Sequence, residues 1–403
     1  MNTTIAGFSL DELLKQYHEN LFDDFLPFMD EYIIDHQHGG FKCNTDRAGN
    51  NITKNKRTWF DGRGVWVYSY LYNNFKKDPQ YLEIAKKTID LLFKAKRDYA
   101  LWPWAYDQFG NDLKERNPDI YGDLFVAEGL IEYSIATGDV SYIQQAKDII
   151  FNCVELYDSE DYLYDFDYRP DVSTIRKPRV LGHWMIMLSL SKSILKHEYD
   201  ADIEALSDRC LDALLNHHLN PEFGLMVEFL EKDLSLPKDG LDQFVYIGHA
   251  IESLWMIMDE AIRRNDHALF NKSCDLFKYH VEVAWDDVYG GVFHGLENVN
   301  ENKWLLEKVL WAQQEVLIGL MMIIEFTDDE WAYRWFDKAY NHVINTYPLK
   351  KHGYRLWNIG GDRKMTFQKE GIRIENYHTP RHLMLNIQLL NKIKAKWDES
   401  YGK

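Results

Sequence analysis

Apolar positions recur at helical spacing from the start of the chain. Leu13, Leu14, Tyr17, Leu21, Phe25, Phe28, Met29 and Tyr32 share one face, and Ser9 stands where an N-cap belongs, so the pattern predicts a first helix over 10–34. The stretch 38–49, with Gly39-Gly40, a short alternating run and a second turn, predicts a small hairpin. Paired helices follow: 64–74 with 79–93, 124–136 with 140–156, 183–196 with 203–217, 249–264 with 268–283, and 314–326 with 331–347. A last helix covers 380–396.

Each pair is joined by a polar link containing an aspartate, Asp78, Asp139, Asp200, Asp266 and Asp329. The links recur roughly every sixty residues, a longer period than the roughly 34–47 of common helical solenoids. Phe223-Gly224-Leu225, Tyr289-Gly290-Gly291-Val292 and His352-Gly353-Tyr354 echo His38-Gly39-Gly40-Phe41 after the second helices. In each pair the first helix is the more apolar, as in Leu317–Ile324, and helices apolar all round are buried. Five pairs plus two amphipathic terminal helices that pair with each other close into six helical hairpins. The expectation is an all-α fold, an (α/α)6 barrel with short β-hairpins in its loops, forming one domain over 1–403 with no Pro/Ser-rich or charged linker to divide it.

Composition changes this picture in one respect. Aromatic residues are abundant, with 13 Trp, 25 Tyr and 21 Phe, and such side chains line ligand clefts by stacking as well as filling cores. The formal charge of −18 argues against nucleic acid, which needs a basic excess. No apolar run is long enough to span a membrane. The first residues show no basic or apolar leader, with Asp11 and Glu12 close behind, so a cytoplasmic location is expected. Cys43, Cys153, Cys210 and Cys274 are scattered singly and read as reduced thiols.

Polar residues at the starts of the inner helices fall on the repeat: Arg63, Asp123, His183, His249, Glu315 and His378. They are expected to gather at one mouth of the barrel. In Gly248-His249-Ala-Ile-Glu252 the carboxylate lies one turn beyond the His on the same face, where it could fix the imidazole tautomer; a structural surface pair would look the same. His183 could equally be a wall histidine, Asp123 an N-cap and Arg63 an ion-pair partner. No His-x-x-x-His, His-Glu-x-x-His, calcium-loop or phosphate-loop pattern occurs, so no metal and no cofactor are expected.

The runs Trp59-Phe-Asp-Gly-Arg63-Gly-Val-Trp66, Gly248-His-Ala-Ile-Glu252, Lys308-Val-Leu-Trp311-Ala-Gln-Gln-Glu315 and Tyr377-His-Thr-Pro-Arg381 resemble the signature segments of the N-acylglucosamine 2-epimerase family. That family includes cellobiose 2-epimerases and aldose–ketose isomerases. The likeness runs from about Gly39 to Arg381, and the family's (α/α)6 barrel agrees with the repeat. It implies that His249 and His378 are the two general acid/base residues and that Arg63 sits at the sugar's reacting end. It further implies Glu252 and Glu315 as supports of the histidines, with His183, Trp59 and Trp311 as further substrate-binding or supporting residues. A homodimer and a nucleotide effector are known for some members.

Inverting C2 of an open-chain aldose needs a base on one face and an acid on the other, and His suits both tasks because its pKa lies near neutrality. The expected activity is therefore a cofactor-independent 2-epimerase acting on N-acetylglucosamine/N-acetylmannosamine or a related sugar. Return of the proton to C1 instead would make an aldose–ketose isomerase. Two other classes stand beside it: an (α/α)6 glycoside hydrolase using Asp123 and Glu315 as its carboxylate pair, and a non-catalytic scaffold, since animal relatives are known as renin-binding proteins.

Overall fold

The computed structural model describes residues 4–42, 44–96, 100–167, 174–373 and 375–401. Its helices are α1 (Leu10–His18), α2 (Thr58–Asn74), α3 (Pro79–Lys96), α4 (Ile120–Thr137), α5 (Ser141–Asp158), α6 (Leu181–Leu195), α7 (Ala201–Asp212), α8 (Ile247–Arg264), α9 (His267–Ala284), α10 (Leu310–Thr327), α11 (Glu330–Thr346) and α12 (His378–Tyr401). Even-numbered helices form the inner ring, each packing on the next, and α12 closes the circle against α2. Their middles are buried on every side, as from Leu310 to Glu325 save Trp311, whereas the odd-numbered helices bury one face. The (α/α)6 expectation is met. The terminal helices pair as predicted: the Tyr17 hydroxyl of α1 lies 3.1 Å from His382 Nε2 and accepts from Asn386 Nδ2 at 3.0 Å, both on α12.

The repeated aspartates cap the outer helices. Asp200, Asp266 and Asp329 accept backbone N–H groups of the first turns of α7, α9 and α11. Asp78 and Asp139 do the same for Gln80 and Ser141. The recurring glycines close the loops after the outer helices. Gly39, Gly224, Gly290 and Gly353 have φ of 86°, 74°, 74° and 81°, a region costly for a side chain, and single bridges such as Ile34 to Phe41 and Trp285 to Val292 complete these turns.

Three sequence expectations need correction. The first helical run continues from α1 to Ile33, but through two wide turns, Glu19–Phe25 and Met29–Ile33, with i→i−5 bonds. Pro27 between them has no N–H to offer an α-helical ladder. The predicted hairpin over 38–49 is reduced to single local bridges, Ile34 to Phe41 and Thr45 to Asn51, and Thr45–Asp46 also pairs with Ile372–Arg373, far away in the chain. The inner helices also begin earlier than their apolar pattern indicates, at Thr58 rather than 64 and Leu310 rather than 314. Their first turns carry polar and aromatic side chains for the cavity, so hydrophobic periodicity under-reads them.

Most short strand pairs join loops of neighbouring repeats. Lys56–Arg57 pairs with Ala105–Tyr106, Arg179–Val180 with Phe229–Leu230, and Lys308–Val309 with Gly360–Gly361. The first N–H of the following inner helix then bonds a carbonyl of the next repeat: Leu181 to Glu228 at 2.9 Å and Leu310 to Ile359 at 2.9 Å. These bonds fix the inner-helix starts relative to one another. Among the described residues no helix is long and apolar enough to cross a membrane. Cys153, Cys210 and Cys274 are buried free thiols, and Cys43 lies outside the described residues.

Candidate active site

All six inner helices contribute a first- or second-turn residue to one cavity of about 380 Å³: Arg63, Tyr121, Gly182, His249, Trp311 and His378. That size lies within the range of small-molecule sites. The six helix N-termini therefore face the cavity, and their partial positive charges favour an anion formed there.

His249 and His378 both stand beside Trp311, with ring centroids 5.8 and 5.2 Å from the indole. Gly248 makes this possible, because a Cβ there would lie 2.1 Å from the Trp311 ring. Each imidazole is held at Nδ1 by a buried carboxylate: His249 by Glu228 at 3.0 Å, His378 by Glu315 at 2.9 Å. That leaves Nε2 of each ring for the cavity. The two carboxylates differ in their other commitments. Glu315 also accepts from Trp255 Nε1 at 2.7 Å and from Arg381 Nη2 at 2.7 Å, so its charge is shared. Burial works to lower the pKa of His249, but the charge and hydrogen bond of Glu228 outweigh it and leave the group raised above an ordinary His. Burial, and then the Arg381 guanidinium, push His378 down to about 3. The site thus holds one His inclined to keep its proton and one inclined to lack it.

Arg63 is boxed by aromatic rings, its guanidinium 3.9 Å from the Phe125 centroid, 4.6 Å from Tyr377 and 4.9 Å from Trp59. It lines the cavity, and its buried Nε has no hydrogen-bond partner among the described residues, so the guanidinium is available to a ligand there. Behind the cavity floor, Arg381 joins Glu252, Glu315 and the hydroxyl of Tyr377, which donates to Glu128 at 2.7 Å.

The structure therefore brings Arg63, His249, Glu252, His378, Trp59 and Trp311 to one cavity, with Glu315 directly behind His378. Glu252 takes a different place from the one its sequence spacing suggests: it binds Arg381, and the carboxylate on His249 is Glu228. His183 is not on the cavity wall. It is fully buried among Tyr121, Tyr157, Tyr162 and Tyr164, and burial pushes it down to about 3. Its neighbour Gly182 takes the wall position instead, where a Cβ would lie 3.0 Å from His249 Cε1. Asp123 is off the cavity too, accepting from the Trp102 N–H at 2.9 Å, and the N-cap of α4 is Asp119. An Asp123–Glu315 pair across a scissile bond is not present in this geometry.

Sequence reasoning missed Glu228, Arg381 and Tyr246. Arg381 carried a signal, since it lies three residues after His378 on one helix face. Glu228 and Tyr246 precede their helix, and only the loop pairing brings Glu228 to His249. Glu252, Glu315 and His378 offer ligand atoms within 4.8 Å of one another and so form a possible metal-binding set. Arg381 Nη2 already bonds both glutamates and lies 3.2 Å from His378 Nδ1, so a cation there would have to displace the guanidinium. A second cavity, of about 510 Å³, opens at the opposite barrel end beside Lys192, Lys196 and Asp259, separated from the first by Arg381, Glu128 and Tyr377.

A family model described as N-acylglucosamine 2-epimerase (GlcNAc 2-epimerase) matches residues 39–379. The human protein named N-acylglucosamine 2-epimerase is 23% identical over 96% of this chain and 92% of its own length. Among solved structures, a cellobiose 2-epimerase from Bacillus thermoamylovorans superimposes with a TM-score of 0.80 at 17% identity, covering 94% of this chain and 99% of that one. A D-mannose isomerase gives 0.75 at 15% identity, covering 95% and 97%.

Proposed function

The chain belongs to the N-acylglucosamine 2-epimerase family of carbohydrate 2-epimerases and isomerases, and from that premise we propose that it inverts C2 of an aldose by proton transfer between His249 and His378. The sugar is N-acetylglucosamine/N-acetylmannosamine or a relative of that size and neutrality. The observation that carries this reading is the pair of His–carboxylate dyads beside Trp311 in one cavity, with pKa values driven in opposite directions.

In the open-chain sugar the C1 aldehyde acidifies the C2–H bond. His378, neutral near pH 7, takes that proton on Nε2, and the C2 electron pair moves into an enolate whose negative charge sits on O1. Arg63 and the helix N-termini stabilise this charge; a single donor of this kind contributes about 3–4 kcal/mol in oxyanion holes. His249, kept protonated by Glu228, returns a proton to the opposite face of C2. The other epimer runs the same path in reverse. Glu315 and Arg381 fix the ring of His378 throughout, and Trp59 and Trp311 give the sugar apolar faces to lie against.

Incubation with N-acetylglucosamine, mannose, glucose and cellobiose in D2O, followed by NMR, tests this. Deuterium at C2 together with the 2-epimer is the expected result. Ketose formation with deuterium at C1 would identify the aldose–ketose isomerase, and no uptake at either C1 or C2 of any sugar removes both readings.

A further inference from the structure

Resting on the proposed chemistry at the same cavity, a second reaction is required before it: a pyranose has no free aldehyde, so its ring must open before C2–H becomes acidic. We propose that Tyr246, His294 and Glu307 form a proton relay that opens and closes the sugar ring, giving the protein an anomer-interconverting activity separable from C2 inversion. Tyr246 lines the cavity, whereas His294 and Glu307 lie behind it. The Tyr246 hydroxyl is 2.9 Å from His294 Nε2, and His294 Nδ1 is 3.3 Å from Glu307 Oε1.

The local fold sets this order. Val245 and Leu296 exchange both backbone bonds at 2.9 Å, placing Tyr246 beside the segment that carries His294. The His294 N–H donates to the Glu307 carbonyl at 3.0 Å, which fixes the third member. With Nδ1–H donating to Glu307, Nε2 of His294 is the acceptor for the tyrosine proton. This is a reactive hydroxyl, a base and an orienting carboxylate in sequence. His294 is 6% exposed, whereas the Glu307 side chain is 31% exposed, so the chain runs from the cavity towards solvent. The Tyr246 ring also stands edge-on to His249, with centroids 4.7 Å apart, next to where the reacting end of the sugar must lie. A buried tyrosine hydroxyl would be satisfied by any acceptor; a three-member chain ending in a partly exposed carboxylate also moves a proton.

In the ring-opening step, Tyr246 Oη takes the O1–H proton as its own proton passes to His294 Nε2. The freed O1 electron pair becomes the C1=O1 π bond, and the C1–O5 bond breaks with its pair on O5. O5 takes a proton from solvent water in the cavity, and the resulting hydroxide recovers the proton held by His294 through Tyr246. The sum is a hydroxyaldehyde with no proton gained or lost; closure from either face of C1 gives either anomer.

The test follows the optical rotation and the anomeric NMR signals of freshly dissolved single anomers of N-acetylglucosamine, mannose, glucose and 2-deoxyglucose. 2-Deoxyglucose has no C2 stereocentre, so its anomer exchange reports ring opening alone. The expected result is an acceleration over the spontaneous rate by the native protein. Tyr246→Phe and His294→Gln are expected to reduce that acceleration by about 10²-fold, in line with loss of one general acid/base, and Glu307→Gln to alter its pH profile. Native-like melting of each variant ensures that folding is not the cause. Two outcomes overturn the relay: anomer exchange in Tyr246→Phe and His294→Gln equal to the native rate, or no acceleration of any sugar by the native protein. Acceleration without deuterium uptake at C2 would leave the relay standing and remove the epimerase reading, so the two fail separately.

Discussion

Glu228 is the residue whose replacement gives the clearest reading of the site. It raises the pKa of His249, so the protonated form persists as pH rises above the ordinary His value and is lost when pH passes the raised pKa. Glu228→Gln is therefore expected to move the alkaline limb of the kcat/KM profile to lower pH, with a larger loss of rate at pH 8 than at pH 6; an unshifted limb would detach Glu228 from the acid role. His378→Gln removes the proposed base, and turnover is expected to fall by at least about 10²-fold with little change in KM. Arg63→Lys keeps the charge but loses the planar group held between Phe125, Tyr377 and Trp59. Its kcat is expected to drop by about tenfold or more while the melting temperature changes little, as measured by steady-state kinetics alongside calorimetry.

At the level of elements, single positions set how helices and loops meet. Gly248 lets Trp311 lie flat on the start of α8, so Gly248→Ala has to push the indole away from both histidines. The expected result is a loss of activity out of proportion to the loss of stability, with altered tryptophan fluorescence as the direct readout. The Asp caps act on stability alone: Asp200→Ala is expected to cost about 1 kcal/mol by urea denaturation with unchanged kcat. Lys56 is fully buried and holds Asp35 at 2.9 Å, tying the loop after the first helical run to the strand before α2. Lys56→Met would leave that carboxylate buried with only backbone donors and the partly exposed His38 beside it, a loss on the order of 3–5 kcal/mol.

At the level of the whole molecule, ring closure and the site are linked. α12 carries His378 at its first residue and meets α1 through His382 and Asn386, so the N-terminal helix supports the element that presents the proposed base. Removing residues 1–34 would uncover the outer side of α12. Such a chain is expected to bind a hydrophobic dye and to lose turnover before its circular dichroism changes much. The strand pairs between loops of adjoining repeats give the same linkage around the rest of the ring, because each fixes an inner-helix start against the next repeat.

The sequence by itself determined the hairpin repeat, the inner and outer helix classes and the ring of polar positions at the inner-helix starts. Those properties follow from periodicity and propensity, which act over a few turns of chain, and five aspartates and four glycine turns mark the repeat boundaries for local reasons of capping and positive φ. The tertiary structure alone decided which partner each polar group took. His249 and Glu252 are one turn apart, yet loop pairing in three dimensions delivers Glu228 to the histidine and Arg381 to Glu252. His183 shares the repeat position of His249, but its side chain turns into a tyrosine cluster and Gly182 takes the wall. Spacing along a helix fixes the face on which a side chain stands; the choice of partner on that face belongs to residues brought there from distant parts of the chain, whose electrostatics and packing exist only once the ring has closed.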